Sequence, residues 1–181
     1  MLNPSEQNKI LFYARELLKA RLTHGLEPQL DPGPEFLEEK RGIFVTLKCG
    51  ARLRGCIGYI LGHAPLRESL REMTLAAAFK DPRFPPLELR ELGDLRIHIS
   101  LLTEPTTVQS YRDIRIGIDG IIVTHGWKKG VYLPEVATET GWDARTFFES
   151  CALEKAGLTE PELPEAGLEV FQTEGFEEEE A

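Results

Sequence analysis

The sequence of 181 residues carries 30 acidic and 21 basic residues, which gives a formal net charge of −9. A chain of this length is typical of one folded domain. Its acidic balance argues against a protein whose main role is coating nucleic acid or an anionic membrane, because both attract basic surfaces. No apolar run approaches the roughly eighteen residues that span a bilayer, and no N-terminal signal pattern is present. We therefore expect a cytoplasmic protein with no membrane partner.

The chain has three cysteines, Cys49, Cys56 and Cys151. The number is odd and no CxxC pair occurs, which argues against a zinc ribbon or a redox dithiol. If the stretches that flank Gly50-Ala51-Arg52 form a hairpin, Cys49 faces Leu53 and Cys56 lies opposite Thr46. We therefore expect no disulfide bond between the first two cysteines.

Capping signals and helical spacing predict an N-terminal helix. Asn3 is the expected helix cap, Pro4 occupies the first helical position, and Glu6 closes a capping box. Apolar residues recur at helical spacing after it, and Gly25 ends the pattern. Residues 27–34 contain three prolines and no periodicity, so we expect an extended connection there.

Alternating and helical patterns predict the other elements in chain order. Strands are expected over residues 43–49, 53–60, 94–103, 115–124, 130–133 and 168–176, and helices over residues 65–80, 134–140 and 143–156. The order lacks the strict strand–helix alternation of a doubly wound sheet. It predicts an α+β fold of mainly antiparallel sheets with flanking helices, arranged in two lobes.

The most unusual stretch of the sequence is Leu53-Arg54-Gly55-Cys56-Ile57-Gly58. In a regular strand the Arg54 and Cys56 side chains point to one side, roughly 7 Å apart. A nearby guanidinium stabilises a thiolate, and the missing side chains at Gly55 and Gly58 leave room for a ligand. The stretch predicts either a functional site, which is a reactive thiol or an anion-binding notch, or a buried cysteine in a bulged strand whose glycines serve packing.

A histidine on a later predicted strand is a second candidate for chemistry. His98 shares the polar face of its strand with Arg96 and Ser100. It can act as a base for Cys56 if the two strands are neighbours, because a Cys/His pair needs direct contact. The alternative is a histidine held by a cross-strand partner.

The loop Asp81-Pro82-Arg83-Phe84-Pro85-Pro86 is stiff, because its three prolines fix φ and remove backbone donors. Such a loop can present Arg83 and Phe84 to an anionic ligand at low entropic cost. The alternative is a tie between Arg83 and Asp81, with Phe84 buried as an anchor.

Metal and nucleotide motifs are absent from the sequence. There is no HxH, HExxH, CxxC or EF-hand pattern, and there is no Walker lysine or GxGxxG loop. We therefore predict no metal motif and assign no cofactor. A metal site assembled from distant residues such as Cys56, His98 and a carboxylate stays open as an alternative.

Several stretches, in one order along the chain, resemble the AMMECR family, called protein A of the AmmeMemoRadiSam system in prokaryotes. The resemblance rests on residues 53–58, 81–86, 99–103, 117–123, 130–137, 141–143 and 155–157. It implies an α+β fold of two subdomains around a cleft, within a single domain of residues 1–176. It also implies two partners, a Memo-type protein similar to non-haem iron dioxygenases and a radical S-adenosylmethionine enzyme. It supplies no established activity.

The acidic balance is concentrated at the C-terminus. Glu174 and residues 177–180 supply five of the negative charges, so the preceding body is only mildly acidic. We expect residues 177–181 to form a solvated, disordered tail. The charge of the body is compatible with a small anionic ligand, whereas nucleic acid stays an unfavoured partner.

The leading hypothesis is a cytosolic enzyme or enzyme subunit that acts on a small anionic substrate. The expected substrate-binding residues are Arg54, Gly55, Gly58 and Arg83, and the expected catalytic residues are Cys56, as nucleophile or redox thiol, and His98, as base. The rival hypothesis is a non-catalytic binding module that docks onto the Memo-type or radical enzyme. In the rival the two arginines serve as structural pins or interface residues.

Overall fold

The computed structural model describes residues 2–30 and 35–179, and the chain divides into two compact units. The first unit runs to Leu102 and resumes at Glu174, and the second comprises Thr103–Thr173. The helices are α1 (Pro4–Thr23), α2 (Leu66–Phe79), α3 (Pro134–Thr140) and α4 (Ala144–Ser150). The strands are β1 (Ile43–Cys49), β2 (Arg52–Tyr59), β3 (Leu95–Leu102), β4 (Thr106–Thr107), β5 (Asp119–His125), β6 (Lys128–Tyr132) and β7 (Gly167–Glu177). The connection predicted over residues 27–34 is irregular from 27 to 30, and its remainder lies outside the described residues.

α1 begins as its sequence predicts, with a capping box. The Asn3 side chain accepts a hydrogen bond from the Glu6 N–H at 3.0 Å, and the Glu6 carboxylate accepts one from the Asn3 N–H at 2.9 Å. The helix ends at Thr23, and His24, rather than Gly25, takes the left-handed backbone with φ of 55°. Within residues 2–30 and 35–179, no helix combines the length and the apolar character needed to cross a membrane.

β1 lies at the centre of the first unit, with β2 and β3 paired antiparallel on its two sides. The end of β7 lies beside β3. Because side chains alternate along a strand, one face of β1 and β3 is apolar and fully buried. Its residues are Ile43, Val45, Leu47, Ile97, Ile99 and Leu101. α2 packs on β1 and β2, and α1 packs on β3, which completes the core of this unit.

The β1–β2 hairpin contains a bulge that shifts its register after Leu47. The prediction that Cys56 lies opposite Thr46 is confirmed. Cys49 faces Arg52 rather than the residue after it, because the bulge adds one residue to β2 before the turn. All three cysteines are free.

In the second unit, β5 pairs antiparallel with β6 on one side and with β7 on the other. A π-helical turn over Cys151–Lys155 continues α4 and packs on both strands of the β5–β6 hairpin. The core of this unit includes Ile121, Val123, Phe147 and Leu168. Antiparallel strands with flanking helices in both units confirm the predicted α+β fold.

β5 is shorter than the strand predicted over residues 115–124, because it starts at Asp119. The buried Asp119 carboxylate accepts hydrogen bonds from the backbone N–H of Arg115 at 2.9 Å and from its guanidinium at 2.7 Å. Gly117 has a φ of 78°, which belongs to a turn rather than to extended chain. The carboxylate therefore closes a turn where alternation alone indicated a strand.

The first residues of the acidic tail predicted over residues 177–181 are bound to the first unit. Glu177 is the last residue of β7, and the Glu178 carboxylate accepts hydrogen bonds from the guanidinium of Arg15, 163 positions earlier in the chain. The prediction of a solvated tail therefore does not hold for Glu178, because counting charges along the sequence cannot reveal so distant a partner. Residues 180 and 181 lie outside the described residues.

Candidate functional site

The outer edge of β2 is closed by side chains of the loop that follows α2. Among the strands of the described residues, β2 is outermost, so none of them pairs with one side of its backbone. At Cys56 the N–H donates to Asp81 Oδ2 at 2.9 Å, and the C=O accepts from Arg83 Nη2 at 3.1 Å. Two side chains thus take the backbone bonds that a further strand would form, which protects the edge from pairing with another chain. We call Arg54, Gly55, Cys56, Asp81, Arg83 and Glu91 the edge latch.

Asp81 is the centre of the edge latch, and its side chain is only 2% exposed. Its carboxylate accepts hydrogen bonds from Arg83 Nε at 2.9 Å and from Arg83 Nη2 at 2.7 Å, besides the bond from Cys56. The Arg83 guanidinium is the main reason that the pKa of Asp81 lies well below its usual range, and the backbone N–H groups of Cys56 and Arg83 act in the same direction. The alternative of a tie between Arg83 and Asp81 is therefore what the structure contains.

Arg54 is the extra residue of the β1–β2 bulge, since the pairing passes from Gly55 directly to Leu53. Its guanidinium donates to both carboxylate oxygens of Glu91, from Nε at 2.6 Å and from Nη2 at 2.9 Å. This pair is the main reason that the pKa of Glu91 is lowered. The regular alternation of strand side chains predicted that Arg54 lies beside the Cys56 side chain, but this alternation does not hold across a bulge. The Arg54 guanidinium pairs with the Glu91 carboxylate instead.

The two glycines of the motif are needed for packing. A Cβ on Gly55 would lie 2.1 Å from the carbonyl oxygen of Ala77 in α2, and a Cβ on Gly58 would lie 2.4 Å from the Phe44 ring. The space that the sequence predicted for a ligand at these two positions is thus filled by the protein itself. Both glycines therefore match the alternative drawn from the sequence, in which they allow close packing rather than ligand binding.

The thiol of Cys56 and the imidazole of His98 lie on one face of the sheet, with β1 between their strands. Both residues are opposite Thr46, and two strand spacings place their Cα atoms about 10 Å apart. The Cys56 Sγ contacts Thr46 Oγ1 at 3.2 Å. His98 Nε2 lies 3.0 Å from Ser100 Oγ, and Nδ1 lies 3.6 Å from a carboxylate oxygen of Glu177. The structure therefore brings the two predicted catalytic residues to one face but not into contact.

Glu91 is the member of the edge latch that sequence reasoning missed. It lies 37 positions after Arg54, and no motif connects the two. The spacing of Glu88 and Glu91 fits a capping box and could have predicted the short turn at Leu89–Glu91, but not that Glu91 reaches Arg54. In the described part of the chain, no three His, Cys, Asp or Glu side chains are grouped so that they could hold a metal ion.

Comparison with known proteins gives consistent matches across nearly the whole chain. The model of the AMMECR1 family matches residues 11–176. A protein from Methanothermobacter thermautotrophicus, whose name states no function, is 41% identical, with 98% of this chain and 96% of that protein covered. Protein MJ0810 from Methanocaldococcus jannaschii is 37% identical, with 92% and 87% covered. The crystal structure of the uncharacterized protein PH0010 from Pyrococcus horikoshii superposes with a TM-score of 0.85 at 34% identity, and 96% and 92% of the two chains are covered.

Proposed function

Because the chain belongs to the AMMECR1 family, we propose that it acts as a non-catalytic binding module for a Memo-type or radical S-adenosylmethionine partner. The family assignment confirms the resemblance drawn from the sequence motifs. One observation carries the proposal: Arg54 and Arg83, the two arginines expected to bind a substrate anion, are already paired with carboxylates of their own unit. The two arginines thus serve a structural role, since each forms an ion pair within the first unit.

An anionic substrate at this site would compete with carboxylates that are already in place. Binding at Arg83 would separate it from Asp81, a carboxylate that is almost completely buried. Removing the partner of a buried charge is strongly unfavourable, because the remaining charge loses its compensation. The geometry therefore favours a latch that holds the loop and the strand together over a pocket that exchanges ligands.

The loop from Pro82 to Pro86 is the docking element that we assign to the module. Its residues are exposed except Phe84, which is half-buried, and the Arg83 guanidinium lies 5.5 Å from the centre of the Phe84 ring. The latch holds the loop at both ends, through Asp81 and through a hydrogen bond from Arg54 Nη2 to the last carbonyl of the loop at 3.3 Å. A loop held in this way loses little conformational entropy when a partner binds.

We expect the substitution Pro85→Glu to lower recovery of the partner by about tenfold, because it places a charge on the exposed surface of the docking loop. The measurement is co-purification of each tagged partner with the variant, together with complementation of a deletion strain. Pro161→Glu makes the same change at an exposed proline of the second unit and serves as the matched control. Cys56→Ala is expected to retain both binding and complementation. Loss of complementation by Cys56→Ala with partner binding intact would contradict a non-catalytic role.

A second candidate function, chemistry at the Cys56 thiol, is favoured by one feature. Cys56 is only partly buried, and its Sγ contacts the neutral hydroxyl of Thr46 at 3.2 Å. Thiol chemistry predicts that iodoacetamide labels Cys56 near neutral pH about tenfold faster than it labels glutathione. The binding-module proposal predicts labelling no faster than glutathione.

Mass spectrometry of the alkylated peptides provides the measurement, and Cys151 provides an internal control. Burial raises the pKa of the Cys151 thiol to about 12, so we expect this residue to stay unlabelled until the protein unfolds. Labelling of Cys151 in the native protein would contradict the burial of this thiol in the second unit.

A further inference from the structure

A cleft of about 750 Å³ lies in the first unit, beside the β1–β2 turn and the start of β3. Three arginines line it, Arg15, Arg52 and Arg96. Glu178 and Glu179 from the C-terminal tail also line it, and we call it the tail cleft. It shares no residue with the edge latch, so what it binds is a separate question from the proposed function.

The tail cleft contains a preformed receptor for one carboxylate. The Arg15 guanidinium donates to both oxygens of the Glu178 carboxylate, from Nε and from Nη2, at 2.5 Å each. The backbone N–H of Ile97 donates to the same carboxylate at 2.9 Å. The guanidinium is itself oriented by the carbonyl oxygens of Leu92 at 2.9 Å and Leu95 at 2.5 Å. Bidentate arginine with an added backbone donor is a strong and geometrically specific way to bind a carboxylate.

Charge complementarity extends the match beyond this one side chain. The preceding carboxylate, Glu177, lies 3.9 Å from Lys48 Nζ and 3.6 Å from His98 Nδ1. Without the tail, the lining of the cleft combines three arginines with one acidic residue, Asp94. Two successive glutamates are thus each held by basic groups, Glu178 by Arg15 in the cleft and Glu177 by Lys48 and His98, which do not line it.

We propose that the tail cleft is a binding site for an acidic peptide segment of a partner protein, and that the chain's own Glu178 and Glu179 occupy it as an intramolecular competitor. The occupant must carry neighbouring carboxylates, because the two tail residues that line the cleft, Glu178 and Glu179, are both glutamates and three arginines line the cleft with them. An extended acidic segment fits the receptor better than a compact anion does, since Ile97 binds Glu178 through its backbone C=O as well as through its N–H.

The tail is held by contacts that a competitor can replace. The Arg15 and Glu178 side chains keep 29% and 17% of their surface exposed, so water and salt weaken the pair. The tail has an advantage over a separate peptide because it is covalently attached to the cleft. A short linker gives an effective concentration on the order of millimolar. A partner segment with a longer acidic run can therefore displace it.

The test uses a fluorescein-labelled peptide of four glutamates and fluorescence anisotropy. We expect a variant that ends at residue 177 to bind this peptide about tenfold more tightly than the full-length chain, because the competitor has been removed. Glu178→Gln in the full-length chain is expected to give a smaller gain in the same direction, and it keeps the test valid if truncation prevents folding. Raising the salt concentration is expected to weaken binding.

Two controls separate the tail cleft from general attraction to positive charge. Arg52→Ala in the truncated chain is expected to weaken peptide binding about tenfold, whereas Arg90→Ala, at an exposed arginine paired with Glu88, is expected to leave it unchanged. A peptide of four glutamines is expected not to bind. Equal binding by the full-length chain and by both tail variants would overturn the proposal, as would equal loss from the two arginine substitutions. Neither outcome would affect the docking loop, which is tested by a different substitution.

Discussion

Gly55→Ala is expected to lower the free energy of unfolding by about 3 kcal/mol, which is a large effect for one methyl group. The added Cβ would lie 2.1 Å from the carbonyl oxygen of Ala77 and 3.1 Å from its carbonyl carbon. Backbone atoms of a helix cannot rotate aside as a flexible side chain can. α2 must therefore move away from β2, which loosens the packing of both elements on β1.

The measurement for Gly55→Ala is urea denaturation followed by circular dichroism, compared with Gly93→Ala in the same unit. A Cβ on Gly93 meets no atom within 4 Å, and its backbone is not in the left-handed region. We expect Gly93→Ala to change stability by less than about 0.5 kcal/mol. Equal effects of the two substitutions would mean that α2 and β2 are not in close contact at Gly55.

Local patterns in the sequence predicted the elements of the first unit well. The reciprocal bonds of Asn3 and Glu6 follow from residue types and spacing alone. The alternation of residues 43–49 predicted both the strand and the face that it buries, since the burial of a strand residue depends on its parity. The same alternation placed Cys56 opposite Thr46, because the turn between the strands is short.

The candidate site depended on contacts that local patterns do not encode. The bulge at Arg54 adds one residue to β2, and a one-residue shift is enough to change which side chains share a face. Strand order is equally non-local: β1 separates Cys56 from His98, although nothing in either strand indicates which neighbours it will have. The partner of Arg54 is Glu91, on a turn that the chain reaches only after α2. Motif reasoning found most of the latch residues but not the pairs that they form.

Asp81→Asn is expected to lower the free energy of unfolding at pH 7 by about 2 kcal/mol, because it removes the charge from a buried acceptor of charged hydrogen bonds. The value is moderate because the Arg83 side chain is 54% exposed and solvent screens it. Asparagine has nearly the same volume, so the loss reports the charge rather than a cavity. The substitution weakens two hydrogen bonds that the Arg83 guanidinium donates to the carboxylate and one that the Cys56 N–H donates to it.

The effect of Asp81→Asn should depend on pH in a defined direction. The folded-state pKa of Asp81 lies below its ordinary value of 3.8, so between these two values the unfolded chain binds more protons than the folded one. The stabilisation by the carboxylate is fully present above about pH 5 and declines as the pH falls through 3.8 and below. Urea denaturation of the unsubstituted protein and of Asp81→Asn between pH 7 and pH 3 should therefore show that their difference in free energy of unfolding decreases as the pH falls. Asp94→Asn, at an exposed aspartate of the same unit, should change stability by less than about 0.5 kcal/mol throughout. A gap that stays constant down to pH 3 would show that the Asp81 carboxylate does not depend on Arg83 and Cys56 in the way the edge latch requires.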